Sequence, residues 1–459
     1  MKTYDVVILG AGPGGYVAAI KASQNGLKTA IIEKEAIGGV CLNWGCIPTK
    51  SLLKSAEVFN HFKHAKDYGI NVSTMDDISP NWAEIIKRKN RIVRRLTGGV
   101  KMLLKKNNID IYQTYGEVIS PTQIKVEDEM IETKHLILAT GASPVLPPIK
   151  GLKEAHKTGF LVTSKELLET KSIPKQLVII GGGVIGIEFA TIFNSFGTEV
   201  TIIEREETIL LNIDHDIRQE MLKTLKKANI TVLTSSTVTE IHTNKVSYTT
   251  AEGTEISLNA DRVLLSVGMK ANFKGFESLN LTLEKGFVSI DEHMQTSKKH
   301  VYAIGDMNGK MMLAHVASHQ GIIAVNHILG HQSSMNYGQV PSAIYSFPEI
   351  AQIGETEQSL KNNHIPYKVS VFPLQANGKA LSANATNGMI KILASPTYNE
   401  ILGVHIMANN ASDLISEAVM AMKLEATADD MAHAIHPHPT LSEIFNEAAW
   451  GIVDKAIHI

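Results

Sequence analysis

The chain has 459 residues, room for about three domains at roughly 150 residues each. Its 44% apolar and 20% charged residues are those of an ordinary globular protein, which excludes disordered, collagenous and coiled-coil classes. Lys and Arg number 44 against 46 Asp and Glu, and the resulting net charge of -2 is too near neutral for a protein that works on phosphate backbone or anionic lipid; neither nucleic acid nor membrane is an expected partner.

The pattern enters a strand directly after Met1-Lys2-Thr3, without a signal or transit segment, and a cytoplasmic chain of bacterial type is expected. Tyr4 to Leu9 predicts a buried strand ending at Gly10, Val17 to Ala22 a helix closed by Asn25-Gly26, and Lys28 to Ile32 a second strand. The pattern recurs from Gln176 to Glu204. Gly10, Gly12 and Gly15 correspond to Gly181, Gly183 and Gly186, and in each copy the first glycine precedes an acid, Glu33 or Glu204, by 23 residues. A lone G-x-G-x-x-G is a weak signal, but between a strand and a helix it lets the backbone approach a pyrophosphate, with the later acid taking ribose hydroxyls. A glycine-rich turn without a ligand is the bland alternative; two matched copies argue for two dinucleotide sites. Glu204 favours NAD over NADP because a carboxylate there repels a 2′-phosphate, an argument tempered by Arg205 beside it. The most apolar window, Leu177 to Phe193, is interrupted by three glycines and Glu188 and reads as a strand-turn-helix, not a membrane span.

The only two cysteines lie in Cys41-Leu-Asn-Trp-Gly-Cys46, unlike the dense usage of a secreted disulfide framework. Five residues of regular helix rise about 7.5 Å, too far for a disulfide, so a bonded pair requires an irregular segment, for which Gly45 and Pro48 are suited. Buried, unreacted thiols are the alternative; the position beside the first dinucleotide unit favours redox cycling. Residues 84–106 carry nine basic side chains, including Lys87, Arg88, Lys89, Arg94 and Arg95, against the single acid Glu84, and predict a helix with one solvated basic face.

Leu136 to Gly141 reads as a strand running into a turn at Thr140-Gly141, and Pro144, Pro147 and Pro148 place a boundary near 144. Val263 to Gly268 and Val301 to Asp306 are further strands, the latter with its acid at the carboxyl end. The expected fold is α/β, with two Rossmann-like dinucleotide-binding domains (1–143 with 269–335, and 144–268) and a C-terminal α+β domain (336–459). There His433, His436 and His438 precede Glu443. A metal site lacks supporting Cys or Asp, so no metal is expected. A structural role is the second alternative, and acid-base work by His438 oriented by Glu443 is the favoured one.

The run Gly38-Gly39-Val40-Cys41-Leu42-Asn43-Trp44-Gly45-Cys46-Ile47-Pro48-Thr49-Lys50 resembles the redox-active disulfide motif of the flavin-dependent pyridine nucleotide-disulfide oxidoreductases. His438-Pro439-Thr440-Leu441-Ser442-Glu443 resembles the C-terminal motif of the branch that oxidises dihydrolipoamide with NAD+. The resemblance covers essentially the whole chain in family order. It implies FAD held by Gly10, Gly12, Gly15 and Glu33, with Asp306 at the ribitol side and Lys50, Gly116, Thr140, Gly141 and Ala314 also at the flavin. It implies NAD lined by Gly181, Gly183, Gly186, Glu204, Val238 and Gly268, and Glu188 as a cofactor-binding glutamate near the flavin. Cys41 becomes the thiol that exchanges with lipoyl sulfur, Cys46 the one facing the flavin, and Lys50 the partner of Glu188. His438 and Glu443 come from the opposite subunit, which makes a homodimer obligatory. His315 and His319, one helical turn apart, read as helix-surface or flavin-neighbour residues.

The implied partners are lipoyl domains and the acyltransferase core of 2-oxo acid dehydrogenase complexes, or a glycine cleavage system. Six Lys against twelve acids from Asn336 onward leave an acidic end suited to a basic binding domain on such a core, with solvated helix faces as the bland alternative. The chain departs from the family pattern at Gly268-Met269-Lys270-Ala271-Asn272, where two arginines are missing, at Pro437, and at Ser318-His319-Gln320, where acids are replaced. An NADPH-linked glutathione- or mercuric-reductase-like enzyme is disfavoured by Glu204 and by the lack of a C-terminal cysteine pair. A flavin-bearing scaffold subunit without turnover is disfavoured by the presence of Cys41, Cys46 and His438.

Overall fold

The computed structural model describes residues 1–72 and 78–459. Its first sheet is built on β1 (Lys2–Leu9), whose Val6, Val7 and Ile8 are fully buried, as a parallel strand covered on both faces requires. α1 (Pro13–Gln24) crosses over to β2 (Thr29–Ile32), which runs parallel to β1 with Leu9 opposite Ile32. Pro13 in the first helical turn loses no hydrogen bond there. The chain continues through α2 (Gly39–Trp44), α3 (Cys46–Lys63) and α4 (Trp82–Lys106) to β3 (Asp110–Tyr112), β4 (Gly116–Ser120), β5 (Gln123–Val126) and β6 (Glu129–Leu138), in the order β3-β2-β1-β6-β5-β4. Val301–Ala303 adds a further parallel strand on the second half of β6.

α4 departs from the expected solvated basic face in part at Arg88, half-buried with its guanidinium donating to the Ser51 carbonyl at 3.1 Å, and fully at Lys89. Lys89 lies one turn from Ile85 and two from the buried Trp82, on the inward side, and is itself fully buried. Its ammonium donates to the Leu168 carbonyl at 2.8 Å and pairs with Glu169. Arg91, Arg94, Arg95, Lys101, Lys105 and Lys106 are exposed as expected.

The second unit repeats the first. β7 (Gln176–Ile180), α5 (Val184–Ser195) and β8 (Glu199–Ile203) form the crossover, followed by α6 (His215–Lys227), β9 (Thr231–Leu233) and β10 (Arg262–Leu265). The sheet order is β9-β8-β7-β10, with Leu161–Val162 at the edge. This unit is inserted into the first: the strand by which the chain leaves, Ala142–Pro144, pairs antiparallel with the strand by which it returns, Met269–Ala271. α7 (Ala314–Ile328) then packs against α1 so closely that a Cβ on Gly321 would meet the Gly14 carbonyl at 2.8 Å.

The C-terminal part is an antiparallel sheet ordered β11-β12-β15-β14-β13, from Ser342–Ile344, Glu349–Gly354, Lys368–Pro373, Met389–Ala394 and Ile401–Ala408 in chain order. α8 (Ala411–Lys423) and α9 (Glu443–Val453) cover it through Ile415, Ala418, Phe445 and Ala448. Among the described residues, no helix is long and apolar enough to cross a membrane.

Candidate active site

The two glycine fingerprints have the same geometry. Gly10 and Gly181 both have φ +107°, and a side chain there would strike the Ala139 carbonyl at 2.3 Å or the Ser266 carbonyl at 2.5 Å. By contrast, a Cβ on Gly12 would meet nothing closer than 3.9 Å, and one on Gly183 nothing within 4 Å, so these middle glycines face open space. α1 and α5 begin there without a side-chain cap, leaving first-turn amides free for a pyrophosphate. The acids repeat as well. Glu33 accepts from the Ala11 amide at 2.8 Å and the Glu35 amide at 2.7 Å; Glu204 accepts from Gly182 at 2.6 Å and Glu206 at 2.9 Å. Each carboxylate is thus locked at the lip of its crevice, and both sites fit a dinucleotide. Arg205 is turned to Glu206 at 2.8 Å.

Between the units lies the cysteine segment. α2 ends at Trp44 and α3 starts at Cys46, with Gly45 (φ -137°, ψ -114°) breaking the helix between them. The break brings the Cys41 and Cys46 Cα atoms to 4.6 Å, and the two are disulfide-bonded. A Cβ on Gly45 would meet the Val40 carbonyl at 2.9 Å, which is why glycine sits at the break. The Asn43 side chain donates to the Ile37 carbonyl at 3.1 Å and the Gly39 carbonyl at 2.9 Å, fixing the loop that precedes the pair.

One turn into α3, Lys50 reaches both oxygens of the buried Glu188 of α5, at 2.7 and 2.9 Å. Two neighbours went unnoticed in the sequence. The Tyr345 ring lies under the Lys50 ammonium at 4.3 Å while its amide donates to Glu188 at 3.2 Å, and Lys165 stands over the Trp44 indole at 3.9 Å and pairs with Glu35.

Asp306 follows Val301–Ala303 at the same sheet edge as Gly10. Burial pushes its carboxyl up to about 6, and among the described residues no hydrogen bond reaches it. A hydroxyl-rich ligand segment would satisfy that carboxylate. The Gly305-Asp306 turn is held by the buried Gln320, whose side-chain oxygen accepts from the Gly305 amide at 2.6 Å, a role that its standing in the sequence as a departure from the family pattern does not show. Thr140-Gly141 is clasped by Asn272, which accepts at its carbonyl from the Thr140 hydroxyl at 2.7 Å and donates to the Thr140 carbonyl at 3.0 Å. Gly116 is buried against Ile32 and Leu9 at the ends of β1 and β2, where a Cβ would meet Ile32 at 3.0 Å. Ala314 opens α7, whose Ser318 donates to the Pro13 carbonyl at 3.3 Å, so this helix end adjoins the first fingerprint. His315 and His319 are exposed, the former bonded to the Pro341 carbonyl at 2.9 Å. Gly268 has φ +121° with open space around it, whereas the Val238 side chain is packed in the core with Ile241 and Tyr248.

The C-terminal imidazoles have three separate partners. His438 Nδ1 faces Glu443 Oε1 at 2.8 Å, His436 Nε2 faces Glu417 at 2.7 Å, and His433 Nδ1 meets the Asp429 carbonyl at 2.8 Å. Among the described residues no group of three or more His, Cys, Asp or Glu is arranged to hold a metal. Burial alone would raise the Glu443 carboxyl, but the Thr440 amide at 2.8 Å and the His438 ring outweigh it and hold the group below its ordinary value. The His438 side chain is 78% exposed, and among the described residues no hydrogen bond links it to the cysteine segment of its own chain.

Comparison with known proteins agrees with this geometry. Residues 4–321 match the family described as pyridine nucleotide-disulphide oxidoreductase, and residues 340–449 match that family's dimerisation domain. The chain is 42% identical to a dihydrolipoyl dehydrogenase of Bacillus subtilis (strain 168), covering 99% of both chains. It is 52% identical to one of Acholeplasma laidlawii over 73% of this chain and 99% of that protein. Among solved structures it is similar to the Cu(II) complex of the HOCl-induced flavoprotein disulfide reductase RclA from Escherichia coli, with a TM-score of 0.87, 26% identity, and coverage of 98% of this chain and 99% of that one. Matched along most of its length by one family, and by relatives of this similarity from end to end, the chain belongs to the pyridine nucleotide-disulphide oxidoreductase family.

Proposed function

We propose that the chain catalyses the NAD-linked oxidation of protein-bound dihydrolipoyl groups. The observation that carries this reading is the closed Cys41–Cys46 disulfide set between two matched dinucleotide crevices, in a chain 42% identical along 99% of its length to a dihydrolipoyl dehydrogenase. The cofactors are FAD and NAD; when bound, they supply the redox chemistry that carries an electron pair from the cysteine dithiol to a diffusible acceptor. Gly10, Gly12, Gly15, Glu33 and Asp306 hold the first of them, and Gly181, Gly183, Gly186 and Glu204 the second.

The chain's own chemistry is thiol-disulfide exchange. A substrate thiolate attacks Cys41 Sγ; the Cys41–Cys46 bond breaks and its electron pair leaves on Cys46 Sγ. The second substrate thiol then attacks the sulfur held on Cys41, closing the substrate's cyclic disulfide, and its proton passes to the departing Cys41. The first substrate proton goes to His438 Nε2, the nitrogen left open when Nδ1 donates to Glu443 at 2.8 Å. The ionised Glu443 then stabilises the imidazolium.

The exposure of His438 on its own chain supports a homodimer in which this pair serves the cysteines of the second subunit. We place the enzyme in the cytoplasm, with lipoyl domains as substrate and a basic binding domain of an acyltransferase core as docking partner. Lys391 is fully buried and ion-paired with Glu357 of the same domain, so one charge of each sign drops out and the acidic excess of the C-terminal domain is unchanged by it.

The reading is tested by the absorbance spectrum of the purified holoprotein before and after dihydrolipoamide. Flavin absorbance is expected to be altered by dihydrolipoamide in the wild type and not in Cys41→Ser or Cys46→Ser, with FAD retained in both. Full lipoamide turnover by either variant overturns the thiol relay.

A further inference from the structure

The segment from Glu204 to Asp214 runs from the second crevice to the C-terminal sheet, and it is held at both ends. At the crevice, Glu204 accepts from the Gly182 amide at 2.6 Å, and the Leu210 amide donates to the Gly182 carbonyl at 3.1 Å. Ile209, fully buried, stands 2.6 Å from where a Cβ on Gly182 would fall. Leu210 has φ +52°, a conformation a bulky residue keeps only when its surroundings impose it.

At the far end, Asp214 is fully buried and caps α6 by accepting from the Asp216 amide at 3.1 Å. The same oxygen takes the Lys391 ammonium at 2.9 Å, and the other oxygen takes the Glu357 amide at 3.0 Å. Gln352 donates to the Asn212 carbonyl at 2.7 Å. Lys391, on β14, is fully buried, and its three N–H groups reach three carboxylates: Asp214, Asp216 at 2.6 Å and Glu357 at 2.5 Å. Such a cluster stabilises a fold little better than an apolar contact would. What it supplies is position: three directed bonds hold one end of the strap where greasy packing would let it slide.

We infer that Lys391 is a positioning residue for the nucleotide crevice. By fixing Asp214 and Asp216 it sets the far end of a strap whose near end presents Glu204 and closes over Gly182, so the C-terminal domain holds the crevice in shape. All three N–H groups of Lys391 are spent on these carboxylates, so it acts through them. The inference rests on the reading of the second unit as the NAD site.

In the holoenzyme, Lys391→Met is expected to weaken NADH binding about tenfold, the scale of mutations that couple distant sites. Amide exchange over residues 205–213 should quicken, and reduction by dihydrolipoamide without NAD+ should keep its wild-type rate. Because Lys391→Met strands three carboxylates, Asp216→Asn is the second variant: Asp216 is the most exposed of the three partners, and its loss leaves Lys391 two, so a change of about threefold in the same direction is expected. Wild-type NADH affinity in Asp216→Asn and in folded Lys391→Met, alongside weakened binding in Glu204→Ala, overturns the inference and leaves the crevice reading intact. An equal loss in dihydrolipoamide reduction overturns it too, by making Lys391 a general support of the fold. If Glu204→Ala also binds NADH normally, the crevice reading fails and takes the inference with it.

Discussion

Asp306 is an acid whose ionisation the fold suppresses, since burial pushes its carboxyl up to about 6. In the unfolded chain the same group titrates near 4, so between about pH 4 and pH 6 the folded protein binds the extra proton. Raised pH therefore removes stability: flavin-free protein is expected to lose on the order of 1–3 kcal/mol across that window. Asp306→Asn should flatten that part of the slope in thermal melts of the flavin-free protein, while weakening FAD binding. Identical slopes in wild type and variant would show that Asp306 ionises freely. The penalty has a functional sense, because a ligand hydroxyl donated to the ionised carboxylate recovers what burial costs.

At the scale of elements, the strand-turn-helix unit decides which nucleotide enters. Glu204 stands at the end of β8 with both oxygens held by backbone amides, so it cannot swing away from a 2′-phosphate. NAD+ is expected to be preferred over NADP+ in kcat/KM, and Glu204→Ala should narrow the ratio by about 10–100-fold through loss of a repulsive group. An unchanged ratio would move the discrimination elsewhere. These units were legible in the sequence because their signals are local: Gly10 to Glu33 and Gly181 to Glu204 each span a single crossover, and His438 and Glu443 lie five residues apart. The break at Gly45 was legible as a necessity, since a bonded pair required it. What stayed hidden lies at long range. Tyr345 meets Lys50, and Lys391 gathers Asp214 and Asp216, only after separate domains have docked, while Gln320 reaches Gly305 only once α7 has folded back on the strand before it. Lys89 misled for the opposite reason: a run of basic residues conceals the one that the helical period turns inward.

For the whole molecule, the exposed His438–Glu443 pair predicts that each active site takes residues from two chains. His438→Gln should slow dihydrolipoamide oxidation by about 100-fold or more, the contribution of a positioned acid-base group, without loss of flavin. Heterodimers of His438→Gln with Cys46→Ser should regain activity, because one of their two sites is then intact. Verified heterodimers without activity would confine His438 to its own chain. The insertion of the second unit between Ala142–Pro144 and Met269–Ala271 bears on how the protein is born. β6 waits for Val301–Ala303, and α1 for α7, until more than 150 further residues have left the ribosome. The nucleotide unit made in the interval is contiguous from Leu161 to Leu265 and needs nothing that follows it to close its sheet. On the ribosome, the domain that begins the chain is therefore the later of the two to finish, and its open sheet edge is the stretch of the nascent protein most in need of shelter.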